Sequence, residues 1–182
     1  MALLLDKLLA VKDDFVSFRD ISANLKEDRL NIFIREAQTI ELRGFIGKEL
    51  WLLIQNDYDE VLKAFTDERF EKLWFGADYT NYAGVEVRFN GLMNALIYFA
   101  YARFMNQQQV NVSRFGVESV QNDISEDITT PQIRAKAKDA LQVALAYQGD
   151  CKEFLEAEKL IYPEYVESNT KPKKTSFSFF KL

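Results

Sequence analysis

The stretch that most limits how this chain can fold is residues 89–105, FNGLMNALIYFAYARFM. Apart from its tyrosines, its polar side chains are those of Asn90, Asn94 and Arg103. A surface helix carries one apolar stripe, whereas a helix of this sequence is apolar on nearly every side and has to be surrounded by protein. A membrane span needs about 20 uninterrupted apolar residues, more than this stretch supplies. We therefore predict a central helix at about residues 89–106, with other helices packed around it.

The composition points to the same fold class. Of 182 residues, 48% are hydrophobic and 14% aromatic, so the chain has enough apolar material for a core. It contains only 7 glycines and 3 prolines, whereas β-rich folds with many tight turns usually contain more of both. The prediction is an all-α fold, a compact helical bundle. We expect residues 24–162 to form this domain, residues 1–23 an N-terminal arm or short helix, and residues 163–182 an extended tail.

Helical spacing and turn residues predict the remaining elements. A first helix is expected at residues 24–44, and a last helix from Thr130, with a buried stripe rich in small residues. The valines that flank Gly116 favour a small hairpin or extended loop at about residues 108–122. Between these, the expected elements are short helices at residues 50–54, 58–65 and 70–75 and an irregular polar loop at residues 76–84.

The residue types that are missing or rare exclude much chemistry. Histidine is absent, which excludes Ser-His-Asp and Cys-His catalytic sites and His-ligated metals. The single cysteine, Cys151, lies on the apolar stripe of the last helix, so we expect a buried structural thiol. Asp57 and Asp59 resemble the opening of a calcium loop, but Leu62 occupies the position where that loop needs glycine. We expect no enzymatic activity, no cofactor and no metal.

Charge is unevenly distributed along the chain. The formal net charge is -5, yet residues 168–182 contain four lysines and no acidic residue. The rest of the chain therefore has about 19 basic against 28 acidic residues. Proteins that bind nucleic acid through its phosphates carry clustered lysine and arginine. We expect the acidic body not to bind DNA, and residues 1–10, which lack a basic flank and a cleavage site, to be neither signal peptide nor membrane anchor.

The C-terminal segment combines lysines with three phenylalanines. Exposed phenylalanines reduce solubility, so we expect a partner to cover this segment, with packing back on the chain's own domain as the alternative. The candidate partner-docking residues are Lys171, Lys173, Lys174, Phe177, Phe179 and Phe180.

Three segments of the chain resemble a known family. They are residues 43–47 (RGFIG) followed by Leu50, residues 91–104 (GLMNALIYFAYARF) and residues 111–117 (NVSRFGV). In these segments the chain is similar to the head–tail connector, or adaptor, proteins of tailed bacteriophages, in particular a group from phages and prophages of Bacteroidetes-type hosts. The resemblance covers about residues 25–155.

The resemblance implies a virion structural protein in the neck, made in the host cytoplasm. Its subunits would form a ring below the portal, extend the DNA channel and provide a docking platform for the next neck or tail protein. The implied partners are the portal protein, neighbouring copies of the chain and that next component, while DNA passes without sequence-specific binding and no membrane is involved. The C-terminal segment would contact the portal. A possible inter-subunit contact loop contains Asn111, Arg114, Phe115 and Gly116.

Another class of function stays open at this point. A soluble helical protein-binding protein or assembly factor with no virion role would use the same C-terminal segment to recruit one partner. It predicts a monomer or dimer, whereas the connector hypothesis predicts a closed ring.

Overall fold

A computed structural model of the chain describes residues 7–16, 18, 26–107, 110–113, 116–119 and 130–165. The helices are α1 (Lys12–Val16), α2 (Glu27–Ala37), α3 (Arg43–Ile46), α4 (Lys48–Asp57), α5 (Glu68–Phe75), α6 (Leu92–Gln107) and α7 (Thr130–Ala157), with a π-helical turn (Gln38–Leu42) between α2 and α3. The strands are β1 (Tyr58–Asp59), β2 (Ala64–Phe65), β3 (Ala77–Thr80), β4 (Glu86–Phe89), β5 (Val110–Ser113) and β6 (Gly116–Ser119).

The prediction of an all-α fold is wrong. The chain is mostly helical, but its strands form three antiparallel two-stranded hairpins, β1 with β2, β3 with β4, and β5 with β6. The first hairpin replaces the short helix expected at residues 58–65, and the second replaces much of the irregular loop expected at residues 76–84. The third lies where a small hairpin or extended loop was expected.

Aspartate carboxylates explain why the helix at residues 58–65 does not form. Asp59 Oδ1 accepts hydrogen bonds from the N–H groups of Val61 (2.8 Å) and Leu62 (3.0 Å), which closes the turn between β1 and β2. Asp57 Oδ2 accepts from the N–H groups of the two residues that follow β2, at 2.9 and 3.0 Å. A side chain that binds nearby main-chain N–H groups competes with helical hydrogen bonds and favours a turn. The two acids that resemble a calcium loop therefore have a structural use here.

An asparagine does the same in the second hairpin. Asn81 Oδ1 accepts from the N–H groups of Ala83 (3.0 Å) and Val85 (3.1 Å), and this turn brings β4 back along β3. Tyr79 and Phe89 then point their rings into the core. The hairpin thus combines a polar turn with two buried aromatic rings. The polar residues of the turn led to the expectation of an irregular loop.

The expected central helix is present as α6, which begins three residues later than expected. Its buried residues lie on most of its circumference: Leu92, Ala95, Leu96, Ile97, Phe99, Ala100, Tyr101, Ala102, Phe104 and Met105. Along α7 the small residues Ala137, Ala140, Ala144 and Cys151 are buried, so the predicted small-residue stripe is confirmed. Small side chains let two helix backbones approach closely, and α7 packs along α6 in this way. In the part of the chain that the structure describes, no helix combines the length and the apolar character that crossing a membrane requires.

Two glycines join α5 to the start of α6. Gly76 (φ 106°) and Gly91 (φ 89°) adopt backbone conformations that residues with a Cβ rarely adopt. A Cβ on Gly91 would lie 2.6 Å from the carbonyl carbon of Phe75, and one on Gly76 would lie 3.0 Å from that of Asn90. The main chains therefore touch at this joint, which fixes where α6 begins.

Arg103, the charged residue of the central helix, is bound by carboxylates from α2 and the π-helical turn. Its Nε and Nη2 donate to the two oxygens of Glu41 (3.1 and 2.6 Å), and its Nη1 donates to Glu36 (2.9 Å). Such a bidentate pair is directional and stronger than a neutral hydrogen bond. The hydrogen bonds to Glu41 raise the pKa of Arg103, so the side chain stays a cation.

The N-terminal segment is attached by two buried side-chain amides, Gln38 and Gln55, which we call the glutamine pair. The N–H of Leu9 donates to Gln38 Oε1, and Gln38 Nε2 donates to the carbonyl of Lys7, both at 2.9 Å. Gln55 accepts from the N–H of Lys7 (2.7 Å) and donates to the same carbonyl (3.3 Å). The amides pair with the main chain as a neighbouring strand would. Together with buried Leu9 and Phe15, they make residues 7–16 part of the core.

Candidate functional site

Most residues predicted from the sequence to contact partners lie outside the part of the chain that the structure describes. This holds for Arg114, Phe115 and all six C-terminal candidates, Lys171, Lys173, Lys174, Phe177, Phe179 and Phe180. Asn111 lies in β5, and Gly116 is the first residue of β6. These two residues bracket the turn of the third hairpin.

The third hairpin follows α6 at the end of the molecule where α7 begins. Helices α6 and α7 are antiparallel, because Phe89, just before α6, stacks on Phe154 (4.4 Å), and Tyr98 of α6 packs on Tyr147 (5.6 Å). Nine residues beyond Tyr98, α6 ends, and its end therefore lies near the N-terminal part of α7. The hairpin begins three residues after α6 ends, and both elements therefore lie at one end of the molecule.

At the opposite end of α7, Arg69 binds the segment that follows the helix. Its Nη1 donates to Glu164 (3.0 Å) and to the carbonyl of Ile161 (3.2 Å), and its Nε donates to Asp67 (3.0 Å). The guanidinium also lies 4.4 Å from the ring centroid of Phe70. Partial burial lowers the pKa of Arg69, but the hydrogen bonds to the two carboxylates outweigh it, and the pKa is raised overall. Arg69 therefore fixes the chain between α7 and Tyr165.

Aromatic side chains also attach the segment that follows α7 to the body. The hydroxyl of Tyr162 donates to the carbonyl of Arg69 (2.6 Å), and its ring packs on Phe154 (5.6 Å). Tyr165 packs on Phe45 (6.2 Å), so residues 163–165, expected to belong to the tail, contact the body. Burial raises the pKa of Tyr162, and burial likewise raises the pKa of the Cys151 thiol, which stays protonated and inert at neutral pH.

These elements enclose a cleft of about 330 Å³ between α5, β3 and the end of α7, which we call the Arg69 cleft. Its inner surface includes Phe154, Tyr162 and Ala77. Its charged lining consists of four carboxylates and two cations: Asp67, Glu68, Asp78 and Glu158 against Arg69 and Lys72. Both cations already bind carboxylates, Arg69 as described and Lys72 with Glu68 at 2.8 Å. The cleft therefore presents an apolar floor and an excess of negative charge.

The two cations of the cleft keep their charge at neutral pH. Lys72 is exposed, and its hydrogen bond to Glu68 raises its pKa, so it remains a cation. Among the described residues, no three cysteine or acidic side chains come together as a metal site would require. An extended segment with basic and apolar side chains would match both the floor and the charge of this cleft.

Reasoning from the sequence missed the residues that organise the molecule. The glutamine pair had a visible signal, because Gln38 follows Ile34 and Gln55 follows Trp51 by one helical turn, on apolar faces. Arg69 gave no such signal, because its partner Glu164 is 95 positions away.

Comparison with models of protein families assigns the chain to one family. A model of a family of unknown function, DUF6712, matches residues 50–175, well over half of the sequence. The chain belongs to this family. The matched region contains the Arg69 cleft, the third hairpin and the α6–α7 pair, whereas Gln38 lies outside it. No curated protein and no solved structure matched the chain.

Proposed function

We propose that this protein is a head–tail connector subunit of a tailed bacteriophage. Its copies form a ring below the portal, extend the DNA channel and provide a docking platform for the next neck or tail protein. The protein then resides in the neck of the virion, after synthesis in the host cytoplasm.

The observation that carries the proposal is where the connector-like segments lie. Residues 91–104 cover most of α6 at the centre of the core, and residues 111–117 include parts of both strands of the third hairpin. A ring subunit needs a rigid body and an element that reaches the next copy. The hairpin, at one end of the α6–α7 pair, supplies such an element, and Arg114 and Phe115 follow β5 and precede β6 in the sequence.

The charge of the chain agrees with a channel wall. With the C-terminal lysines set aside, about 28 acidic residues face 19 basic ones, and DNA is repelled by a surface of its own sign. Such a wall lets DNA pass without sequence-specific binding. The basic C-terminal segment is the exception, and we assign it to a contact with the portal protein, the phenylalanines as anchors and the lysines as partners for acidic groups.

The direct test is the copy number of this chain in purified phage particles. Quantitative peptide mass spectrometry would compare it with the portal and the major capsid protein. We expect a small fixed number close to that of the portal. Absence from mature particles overturns the proposal and leaves a helical binding protein or assembly factor.

The hairpin assignment is tested by the mass of the purified protein in solution. Replacing Arg114 and Phe115 with alanine should shift rings to single subunits. Tyr82→Ala is the matched control, because Tyr82 is an exposed aromatic residue in the turn of the second hairpin. Rings that persist in the first variant would refute the role of the hairpin. The role of the C-terminal segment is tested by deleting residues 168–182, and portal docking that is unchanged by the deletion would refute it.

A further inference from the structure

We propose that residues 171–180 of this chain bind in the Arg69 cleft of their own body until a partner takes them. The inference depends on the proposed function only for the identity of that partner, the portal protein. It concerns the free subunit and can be tested without a virion.

The size and surface of the cleft fit aromatic side chains. Its volume of about 330 Å³ is in the range of sites that bind small ligands and side chains, about 300–1,000 Å³. Phe154 and Tyr162 provide an aromatic floor. At the rim, Ile161 is 47% exposed and the adjoining Leu160 is 98% exposed, so apolar surface next to the cleft faces solvent. The phenylalanines at positions 177, 179 and 180 are of the right chemistry to cover it.

The charges are complementary. Asp78 and Glu158 lie in a lining with four carboxylates and two cations, both of which already bind carboxylates of the body. Asp78 also binds Arg88 (3.1 Å), an exposed cation outside the lining, and with this cation counted the carboxylates are still in excess. The segment brings lysines at positions 171, 173 and 174 and no acidic residue. Opposite charge steers such a segment to the cleft and fixes its register, while the apolar contacts supply affinity.

The reach of the chain favours its own cleft over that of another copy. The last described residue, Tyr165, packs on the body, and Ile161 and Tyr162 of the same segment line the cleft. Lys171 follows Tyr165 by six residues, which span up to about 20 Å when extended. A short tether gives the segment an effective concentration in the millimolar range, far above that of a second copy in dilute solution.

Binding in the cleft would give the free subunit a protected state. The phenylalanines would not face solvent, where they promote aggregation. A portal subunit that binds the same residues must displace them from the cleft. Its measured affinity is then its affinity for a free segment multiplied by the fraction of subunits in which the segment is free.

The test is the rate at which chymotrypsin cleaves after the phenylalanines of residues 177–180 in the full chain, followed by intact mass. We expect cleavage at least about tenfold slower than in a synthetic peptide of residues 166–182. Asp78→Lys combined with Glu158→Lys should restore the rate of the free peptide. Glu153→Lys combined with Glu49→Lys is the matched control, an equal charge change at exposed positions of α7 and α4 outside the cleft lining, and should leave cleavage slow.

A charge exchange gives the sharpest outcome. Changing Lys171, Lys173 and Lys174 to glutamate should also release the segment, and combining this change with the two cleft substitutions should slow cleavage again. Wild-type cleavage at the rate of the peptide overturns the inference, as does equal protection in all variants. Protection that increases with protein concentration overturns it too, because the segment then occupies another copy. None of these results changes the copy number in phage particles, so the inference and the proposed function can fail separately.

Discussion

Replacing Gln38 with leucine tests whether the glutamine pair attaches the N-terminal segment. The substitution preserves the approximate size of the side chain but removes both hydrogen bonds that it makes with residues 7–9. The N–H of Leu9 is then buried without a partner, which costs about 1–3 kcal/mol. The carbonyl of Lys7 keeps the longer hydrogen bond from Gln55 (3.3 Å), so its loss is smaller. Better burial of leucine offsets about 1 kcal/mol, and the expected net loss is about 2 kcal/mol.

The assay is urea unfolding, with the fluorescence of buried Trp51 and Trp74 as the signal. Gln142→Leu is the matched control, because Gln142 is exposed on α7 and should change stability by less than about 0.5 kcal/mol. If Gln38→Leu loses no more stability than this control, the main chain of residues 7–9 does not depend on the amide and the reasoning is refuted.

Gln38→Glu separates hydrogen bonding from packing. An ionised carboxylate can accept from Leu9 but cannot donate to Lys7, and burial disfavours its charge, so its pKa in the folded state is raised above that in the unfolded chain. The variant should therefore be closest to wild type at acidic pH and lose stability as the pH rises through the folded-state pKa. Stability relative to wild type that is independent of pH would show that this position is accessible to water.

Three further substitutions test other contacts. Gly91→Ala should destabilise the fold by about 2–4 kcal/mol, because it adds a Cβ at a positive φ against the main chain of α5, and thermal unfolding measures this. Arg103→Met should cost about 1.5–3 kcal/mol in urea unfolding, since it leaves Glu36 and Glu41 without their cation. Tyr162→Phe should cost about 1 kcal/mol at neutral pH through the lost hydroxyl bond. Because burial raises the folded-state pKa of Tyr162 above its ordinary 10.0, wild-type stability should fall as the pH rises above 10.0, and this fall should be shallower in the variant.

Each of these substitutions has its own control and its own contrary result. Gly84→Ala changes a glycine in an open turn, so it tests the effect of a positive φ without a close main-chain contact. Equal losses of stability at positions 84 and 91 would show that the main-chain contact at the joint contributes nothing. Arg88→Met removes an exposed ion pair with Asp78, so a loss as large as that of Arg103→Met would contradict the importance of burial. A pH profile of Tyr162→Phe that parallels wild type would show that other tyrosines cause the alkaline fall.

The helical core could be predicted because its signals are local. The apolar run of α6 and the small-residue stripe of α7 repeat at the helical period, and the structure places both in the core. The first two hairpins were missed because the residues that make them, Asp57, Asp59 and Asn81, also occur at helix starts and in irregular loops. Their carboxylate and amide oxygens bind main-chain N–H groups only once the turn exists.

The Arg69 cleft could not be predicted for a different reason. Its cation lies on α5, and the carboxylate that it binds, Glu164, follows α7 after almost the whole chain has intervened. Amphipathic spacing assigned α5 correctly as a helix but says nothing about which distant segment its polar face meets. Such pairings depend on the tertiary arrangement of α6 and α7, which brings α5 next to the segment that follows α7.

The joint between Gly76 and Gly91 has a consequence for the order in which the chain folds. Only fifteen positions separate these glycines, and the β3–β4 hairpin closes the loop between them, so the entropy lost on closing it is small. The glutamine pair instead joins Lys7 to residues 31 and 48 positions away. Contacts between near neighbours in sequence form fastest. We expect α5, the second hairpin and the start of α6 to form a nucleus, and the N-terminal segment to dock after the rate-limiting step.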